Sequence, residues 1–314
     1  MKEGVLPDEV DCVLKKAGYE VSKFTPRRSC FDIVAVKKKK LLLIKVIKDL
    51  KKIQRVHSSD LLVVSEAFSA TPLFIGVKSG ETTLNDDTLY ERYNIRAFSF
   101  RTLEDVISKN TNPLVVAGPG GYYVNVDGER LKKRRQELGL SIGKLAEMVS
   151  VSRGTIYSYE KGATKATVSI AYRLEKALGA PVIRPVDPLH RPSRTSTRNR
   201  FPLDITNITK MNPYLRRIYK KLTRLNCTIA PIRRAPFDFI IRRSTKEICI
   251  IGYFSKIKNK ENRRVSEFLS FSKTVNTRSL IVTKARCRLE LAAPKISIRD
   301  LERVNDLEEL LSEH

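Results

Sequence analysis

The chain has 314 residues, a formal net charge of +26 and five cysteines, and its length predicts two or three domains. The cysteines are odd in number and scattered without a Cys-x-x-Cys pair, so the sequence indicates neither a disulfide framework nor a zinc site. The start of the chain lacks a signal-peptide pattern, and the longest apolar runs are too short to span a bilayer. We therefore expect a cytoplasmic protein without a membrane partner.

The positive charge is concentrated in one part of the chain. Residues 184–289 contain 26 basic and 6 acidic residues, so this third holds +20 of the total +26. The electrostatic potential of such a charge attracts polyanions, because binding releases their counterions. This attraction is nearly independent of base sequence. We predict non-specific DNA contact here, and the alternative for any one lysine is a solvated surface position.

Residues 1–110 predict a small α/β domain, and residues 206–314 repeat it. In both, a helix with a Lys-Lys pair is followed by a strand, a Pro with Arg-Arg, a Phe-Asp pair, a strand, a basic turn and an apolar strand. Phe31-Asp32 in copy 1 (residues 1–110) corresponds to Phe237-Asp238 in copy 2 (residues 206–314). Further on, we match DLLVVSEAF with SLIVTKARC and NIRAFSFRTLEDVISK with APKISIRDLERVNDLEELL. Each copy predicts a mixed sheet with helices packed on it.

The Phe-Asp pair, hairpin and strand resemble the PD-(D/E)xK nuclease fold, in particular the archaeal Holliday-junction resolvases. The resemblance implies a divalent metal held by an Asp and by an acid on the next strand, with a Lys two residues beyond that acid. Copy 1 offers Asp32 and Lys45, but the acid position is Leu43; copy 2 keeps Asp238, and Glu247 is out of register. We therefore expect no metal, cofactor or catalytic residue, and both aspartates to cap backbone or bridge to neighbouring arginines.

Residues 140–162 carry the pattern of two short helices joined by a tight turn. Ser141 can cap a first helix whose apolar residues recur at spacings of three and four. Ser150 breaks the pattern, and Ser152 can cap a second helix with Ile156 and Tyr159 on its inner face. The pattern predicts a helix-turn-helix, and the alternative is an ordinary helical hairpin.

The outer face of this segment is polar. Arg153 stands at the start of the second helix, where it is expected to reach guanine or a phosphate, and Gly154 permits close approach of a backbone. The candidate DNA-binding residues are Ser141, Lys144, Ser152, Arg153, Gly154, Thr155, Tyr157, Ser158 and Lys161.

Residues 127–180 resemble the Xre (Cro/C1-type) helix-turn-helix family through Leu145-Ala146, Val151-Ser152 and Glu160-Lys161-Gly162. Two positions depart from that family: Ile142 replaces a frequent Gln, and Ser150 replaces the Gly of the turn. Ser150 must adopt a left-handed conformation, or the turn is altered. Through three segments the whole chain resembles archaeal HTH-type transcriptional regulators; these are residues 120–131, 150–162 and 232–239.

Two connecting segments complete the chain. The Gly-rich run at 117–123 predicts a hairpin turn, and a DNA-touching wing is the alternative. Residues 184–205 have the Pro, Ser, Thr and Arg composition of a linker, whose arginines can follow a minor groove. The predicted domains are a degenerate nuclease-like α/β domain (1–110), a β connection or wing (111–126), the helix-turn-helix domain (127–183), a basic linker (184–205) and a second degenerate nuclease-like domain (206–314).

Together these patterns predict a multidomain α+β protein with an all-α helix-turn-helix bundle between two restriction-endonuclease-like domains. The predicted function is sequence-specific binding of double-stranded DNA at a promoter or operator, as a non-catalytic transcriptional regulator. One recognition helix distinguishes only a few base pairs, so we expect a homodimer on paired half-sites, with the α/β copies as the means of pairing. The alternatives are a structure-specific nuclease of the Holliday-junction-resolvase type and a chromatin-like protein that binds DNA by charge.

Overall fold

The computed structural model describes most of the chain and divides it into two compact units. Unit 1 comprises residues 1–46, 52–73 and 191–314, and unit 2 comprises residues 47–51 and 74–190. The Arg27-Arg28 pair and residues 191–205 of the predicted linker lie outside the described residues. The described residues are 6–25, 29–190, 211–225, 227–242, 247–255, 257, 262–285 and 291–305.

Copy 1 begins with a helix and an antiparallel three-stranded arrangement. The strands carry continuous apolar runs that are buried on both faces, so that Leu42, Leu43 and Ile44 are all inaccessible to solvent. Lys37 pairs with Lys40 at the tip of the second hairpin, so the basic turn lies where the sequence predicts it. The elements are α1 (Leu6–Lys16), β1 (Glu20–Lys23), β2 (Ile33–Lys37), β3 (Lys40–Asp49), a 3-10 turn (Leu50–Lys52), α2 (Arg55–Ala67) and β4 (Thr71–Ser79).

Unit 2 contains the later strands of copy 1 and the helical bundle, and its long segment begins at Phe74, within β4. Its elements are β5 (Thr82–Thr83), β6 (Thr88–Arg92), β7 (Ile95–Ser99), α3 (Phe100–Ser108), β8 (Val115–Gly118), β9 (Gly121–Val126), α4 (Gly128–Glu137), α5 (Ile142–Met148), α6 (Arg153–Glu160), β10 (Ala166–Thr167), α7 (Val168–Leu178) and β11 (Ile183–Arg184).

Copy 2 lies wholly in unit 1 and forms a five-stranded sheet of order β12-β13-β14-β15-β16. Its first two strand pairs are antiparallel and its last two are parallel. The elements are α8 (Pro213–Thr223), β12 (Thr228–Pro231), β13 (Phe239–Arg242), β14 (Ile248–Phe254), α9 (Arg263–Val275), β15 (Arg278–Thr283), β16 (Lys295–Ser297) and α10 (Ile298–Leu301).

The structure confirms the internal repeat and corrects one part of its alignment. The segments NIRAF… and APKIS… form equivalent strand-helix pairs, β7-α3 and β16-α10, each capped by a serine, Ser99 or Ser297. The match of DLLVVSEAF with SLIVTKARC is wrong, because the first lies in helix α2 and the second begins in strand β15. Helix α2 instead corresponds to α9, and β4 corresponds to β15.

The two copies pack against each other inside unit 1. Helix α9 of copy 2 contacts β1 and β2 of copy 1, while α2 of copy 1 contacts β13 of copy 2. The exchange is reciprocal in its hydrogen bonds: Asp60 on α2 accepts the Arg234 N–H at 3.1 Å, and Glu267 on α9 accepts the Thr25 N–H at 3.0 Å. Phe271 lies at the centre, and its ring contacts Phe24, Phe31, Phe68 and Phe237.

The helical bundle of unit 2 is not all-α, contrary to the prediction. Strand β9 pairs with β10 and with β11, and Val124, Val126 and Ala166 from these strands enter the same buried core as helices α4 to α7. The strands are two to six residues long and therefore gave no alternating pattern of their own. The predicted Gly-rich hairpin is present, since Gly118 pairs with Gly121 between β8 and β9.

The boundaries between the two compact units differ from the predicted domain boundaries. Strands β6 and β7 and helix α3 belong to unit 2, although their sequence lies in copy 1. The five predicted domains therefore remain a proposal about sequence modules.

Candidate nucleic-acid interface

Helix α5 is fixed at its start by a cap and on its inner face by burial. The Ser141 hydroxyl accepts the Lys144 backbone N–H at 3.0 Å, as the sequence predicts. Leu145 and Ala146 are buried one turn later. The small side chain of Ala146 suits a close crossing of α5 and α6, which contact each other.

The turn between α5 and α6 is tight because Ser150 adopts a left-handed conformation, with φ of +56°. This is the first of the two possibilities that the sequence left open. The Val151 N–H then donates to the Ala146 carbonyl at 3.0 Å, and the Ser152 hydroxyl caps α6 by accepting the Thr155 N–H at 3.0 Å. The turn thus sets the entry angle of α6 without glycine.

The inner face of α6 is held by two buried side chains and an ion pair. Ile156 and Tyr159 are buried in the bundle core. At the end of α6, Glu160 receives two hydrogen bonds from Arg135 of α4, Nε to Oε1 at 2.6 Å and Nη2 to Oε2 at 3.2 Å. Arg135 also donates to the Leu140 carbonyl at 2.8 Å. The recognition helix is therefore fixed relative to α4 at its C-terminal end.

A close backbone contact adds to this fixation. A Cβ atom placed on Gly128 would lie 2.4 Å from the Glu160 carbonyl oxygen and 2.5 Å from that of Tyr159. No side chain fits there, so Gly128 permits the first turn of α4 to lie against the end of α6.

The outer face of α6 presents four exposed residues. Tyr157 is 55% exposed, and Lys161 Nζ lies 5.6 Å from the centre of its ring. The Arg153 guanidinium lies over Gly143 of α5, where an added Cβ would be 2.9 Å from its Nε. Gly154 faces open space, with Ser152 Oγ at 3.7 Å as the nearest atom to a would-be Cβ. This face combines two cations, an aromatic ring and a bare backbone position.

The remaining predicted site residues are Ser141, Lys144, Ser152, Thr155 and Ser158, and the side chains of the first four have partners within the bundle. Thr155 and Ser158 are half-buried, and Ser152 Oγ lies 2.8 Å from Thr155 Oγ1. The Ser141 and Ser152 hydroxyl oxygens both act as helix caps, and the Ser152 hydroxyl shares a further hydrogen bond with Thr155. Lys144 forms an ion pair with Glu147 at 3.1 Å in which both side chains are exposed, and such a pair stabilises by at most about 1 kcal/mol.

In copy 1 the carboxylate of Asp32, which the nuclease resemblance would assign to a metal, forms an ion pair. Lys45 Nζ lies 2.7 Å from Asp32 Oδ1, and Asp32 Oδ2 accepts the Val46 N–H at 2.8 Å. Burial raises the pKa of Asp32, and the nearby Lys45 ammonium partly offsets this. Leu43 is fully buried. Asp32 therefore accepts a backbone N–H, as predicted, but its charged partner is a lysine and not an arginine.

In copy 2 the corresponding aspartate, Asp238, is also paired with a cation, but that cation comes from helix α9. Asp238 accepts hydrogen bonds from Arg264 Nη2 at 2.8 Å and from the Tyr253 N–H at 2.7 Å. Burial raises the pKa of Asp238, and Arg264 opposes that rise. Strand register places Ile250 where copy 1 has Leu43, and Gly252 where copy 1 has Lys45. Bridging of Asp238 to an arginine was predicted, but nothing in the sequence singled out Arg264.

Two further searches cover only the part of the chain that the structure describes. There, three or more His, Cys, Asp or Glu side chains do not come together in a way that could hold a metal ion. None of the helices described combines the length and apolar character that crossing a membrane requires.

Comparison with family models agrees with both parts of this architecture. Residues 4–113 match the PD-(D/E)XK superfamily domain, and residues 131–183 match a helix-turn-helix family. The fold and the α5-α6 geometry thus define a helix-turn-helix protein that also carries a nuclease-superfamily domain.

Full-length relatives are found among archaeal proteins. A protein of Pyrococcus horikoshii is 30% identical over 313 residues, which are 99% of this chain and 97% of the relative. One from Methanococcus maripaludis is 29% identical over 318 residues, with 99% and 97% coverage. Both bear the name "putative HTH-type transcriptional regulatory protein". The chain belongs to this family of archaeal HTH-type transcriptional regulatory proteins.

One solved structure with local similarity is the restriction-modification controller protein C.AhdI from Aeromonas hydrophila. It is 28% identical, with a TM-score of 0.17, and the match covers 17% of this chain and 80% of that chain.

Proposed function

We propose that the protein regulates transcription by binding double-stranded DNA at a promoter or operator through the outer face of α6. The observation that carries the proposal is the exposed set of Arg153, Gly154, Tyr157 and Lys161 on a helix whose position is fixed by a cap, a core and an ion pair. A helix held in this way can enter the major groove, where arginine contacts the O6 and N7 atoms of guanine.

Roles within the face follow from geometry. Arg153 lies at the N-terminal end of α6 and is exposed, so its guanidinium can leave Gly143 and reach a base edge. Tyr157 stands one turn later and can contact backbone or base methyl groups. The hydroxyl groups of Ser141 and Ser152 and the ammonium groups of Lys144 and Lys161 are of the kind that contacts phosphates. Contacts with bases would determine which DNA sequence is bound, and contacts with phosphates would fix the register and orientation of the protein on the duplex.

We further propose that the protein performs no chemistry on DNA. In copy 1, Lys45 holds Asp32, and buried Leu43 supplies no oxygen. In copy 2, Arg264 holds Asp238 beside Ile250 and Gly252. A divalent cation needs several oxygen ligands, and each of these sites offers one carboxylate that is already paired with a cation. The nuclease-like copies therefore support binding and architecture.

A homodimer on paired half-sites completes the proposal, because one recognition helix contacts only a few base pairs. The sequence suggested the α/β copies as the means of pairing. In unit 1, however, the faces around Phe271, Asp60 and Glu267 are used within one chain. Pairing between chains must therefore use other surfaces. Light scattering of the full chain, free and with selected DNA, measures the stoichiometry directly.

The test of the DNA-binding proposal is selection from random duplexes with the full chain, followed by single substitutions. Arg153→Ala should lower affinity by about 1–3 kcal/mol, and the loss should fall on one base position. Lys176→Ala removes a cation from exposed α7 and serves as the charge-matched control, with unchanged base preference expected. Identical selected sites for the wild-type and Arg153→Ala proteins would remove Arg153 from base recognition.

One second candidate has an observation in its favour. The +20 charge of residues 184–289 favours binding by charge alone, as in a chromatin-like protein. A ratio of specific to non-specific affinity below about 10³ would support that candidate over a sequence-specific regulator.

A further inference from the structure

An open cavity of about 690 Å³ lies in unit 1, where residues of the two copies meet. Thr25 and Ser29 of copy 1 line one side, and the rest of the lining belongs to copy 2. We call it the arginine pocket after its charged residues, which are Arg233, Arg234, Arg263, Arg264, Asp238 and Glu267.

The charge of the arginine pocket is positive. Among the described residues of the lining there are four guanidinium groups and two carboxylates, which gives this part of the lining a formal charge of +2. Both carboxylates are already engaged: Asp238 by Arg264, and Glu267 by the Thr25 N–H and hydroxyl and by Arg263 at 3.3 Å. The residual potential of the cavity therefore favours an anion.

The loop that carries Arg233 and Arg234 is held at its backbone by copy 1. The Arg234 N–H donates to Asp60 at 3.1 Å, and the Arg234 carbonyl accepts the Cys30 N–H at 2.8 Å. Arg233 is exposed and Arg234 half-buried, and neither guanidinium forms a hydrogen bond or ion pair with another described residue. A rigid loop thus presents two guanidinium groups whose donors are not used within the described structure.

A third guanidinium of the lining, that of Arg264, is fixed by contacts within copy 2. Arg264 donates to Asp238 at 2.8 Å and to the Tyr253 carbonyl at 3.0 Å, and its plane lies 4.9 Å from the centre of the Phe254 ring. These contacts restrict the rotamers of Arg264, so little side-chain entropy remains to be lost on binding. Fixed and free guanidinium groups thus converge from two elements of copy 2.

We propose that the arginine pocket binds a phosphate group. Arginine forks match the oxygens of phosphate in a bidentate manner, and a doubly charged anion balances the lining. The phosphate belongs either to a nucleic-acid backbone or to a free phosphorylated molecule, for which the volume leaves room. In copy 2 an arginine cluster thus stands beside the aspartate that a nuclease would use for metal. The proposal does not depend on DNA recognition by α6.

The test uses the full chain and inorganic pyrophosphate in calorimetric titration. Arg233→Gln/Arg234→Gln should weaken pyrophosphate binding by about tenfold or more, because two charge-assisted forks are lost. Lys220→Gln/Arg224→Gln removes the same charge from the exposed face of α8 and should leave the affinity within about twofold. Thermal unfolding checks both proteins, and Arg233→Gln alone, whose side chain is exposed, replaces the double variant if that unfolds early.

A second titration distinguishes the two sources of phosphate. It uses a random-sequence duplex and the Arg153→Ala background, in which recognition by α6 is weakened. Weaker duplex binding in the pocket variant, together with competition by pyrophosphate, assigns the site to DNA backbone. Loss of pyrophosphate binding with unchanged duplex affinity assigns it to a free phosphorylated ligand. The proposal is overturned if the wild type binds no pyrophosphate and the pocket and control variants bind duplex equally.

Discussion

Arg135 and Glu160 form a two-pronged ion pair that joins the first helix of the bundle to the last residue of the recognition helix. Their side chains are only 10% and 6% exposed. Because the pair is buried, each charge depends on the other for its solvation. The position of the DNA-facing helix thus rests on a contact between residues 25 positions apart in the chain.

Breaking this pair should destabilise the bundle strongly. Arg135→Met leaves a buried, unpaired carboxylate and should lower the free energy of unfolding by about 3–5 kcal/mol, whereas Arg135→Met/Glu160→Met should recover part of that loss. Hydrogen exchange of residues 128–178 measures the effect within the full chain. Arg134→Met is the neighbouring control: it removes a half-exposed ion pair with Glu137 and a hydrogen bond to the Leu178 carbonyl at 3.0 Å, and together these should contribute no more than about 2 kcal/mol. Equal losses for the two single variants would contradict the assigned role.

Two glycines of the bundle should respond oppositely to alanine. Gly128→Ala places a methyl group 2.4 Å from the Glu160 carbonyl and should destabilise the bundle by about 1–3 kcal/mol, as overpacking does. Gly154→Ala has open space and should stabilise α6 by up to about 1 kcal/mol through helix propensity. Denaturation and DNA-binding titrations together separate the roles: Gly154→Ala should bind DNA more weakly despite its greater stability. Unchanged affinity would show that no DNA backbone approaches Gly154.

The contact between the copies should depend on pH through Asp60. Burial raises the pKa of Asp60 to about 6, although the backbone N–H groups of Arg233 and Arg234 lower it in part. The unfolded carboxyl titrates near 3.8, so the folded state binds the extra proton, and this contribution to stability is present below about pH 4 and lost as pH rises through about 6.

Asp60→Asn should make this part of the stability independent of pH, because asparagine does not titrate. Its side-chain oxygen can still accept the Arg234 N–H. Between pH 4 and 7 the wild-type free energy of unfolding should fall by about 2–3 kcal/mol relative to that of Asp60→Asn. Denaturant titrations at four pH values give the difference. Parallel pH profiles for the two proteins would show that Asp60 does not titrate in this window.

The chain should not cleave DNA. Duplex, single-stranded and four-way-junction DNA should remain intact with Mg²⁺ or Mn²⁺, because Leu43 and Ile250 stand where a second carboxylate is required. Gel analysis with an Asp32→Ala protein as control decides the matter. Cleavage that purifies with the wild type and disappears in Asp32→Ala would overturn the non-catalytic proposal.

Local signals were sufficient for the recognition helix. The serine caps at 141 and 152, the inward Ile156 and the turn at Ser150 follow from spacing and side-chain chemistry within about twenty residues. The apolar run of α2 was matched with a segment that forms a strand in copy 2, because short apolar segments fit strand and helix equally well until their packing is known. Here the partner of α2 is β13, which lies more than 170 residues away.

For Asp32 in copy 1 and Asp238 in copy 2, the sequence indicated which ligands are absent but not which partners are present. The absence of an acid at position 43 can be seen in the sequence. That position lies two residues before Lys45, where the nuclease resemblance places the acid. The partnership of Arg264 with Asp238 is not, because it joins a helix start to a strand start across 26 residues. The arginine pocket likewise depends on both copies and could not be found from either alone.

The reciprocal packing of the copies also orders the steps by which the chain can fold during synthesis. The Ser22 hydroxyl meets the hydroxyls of Ser270 and Thr274 across 248 and 252 residues, at 2.9 and 2.7 Å. Copy 1 is therefore synthesised long before helix α9, which packs on its strands β1 and β2. Until α9 has been synthesised, that face of copy 1 stays uncovered. The contacts of the helical bundle span far shorter distances along the chain, so the bundle can fold first. The DNA-facing module is thus complete before the unit built from both chain ends can close.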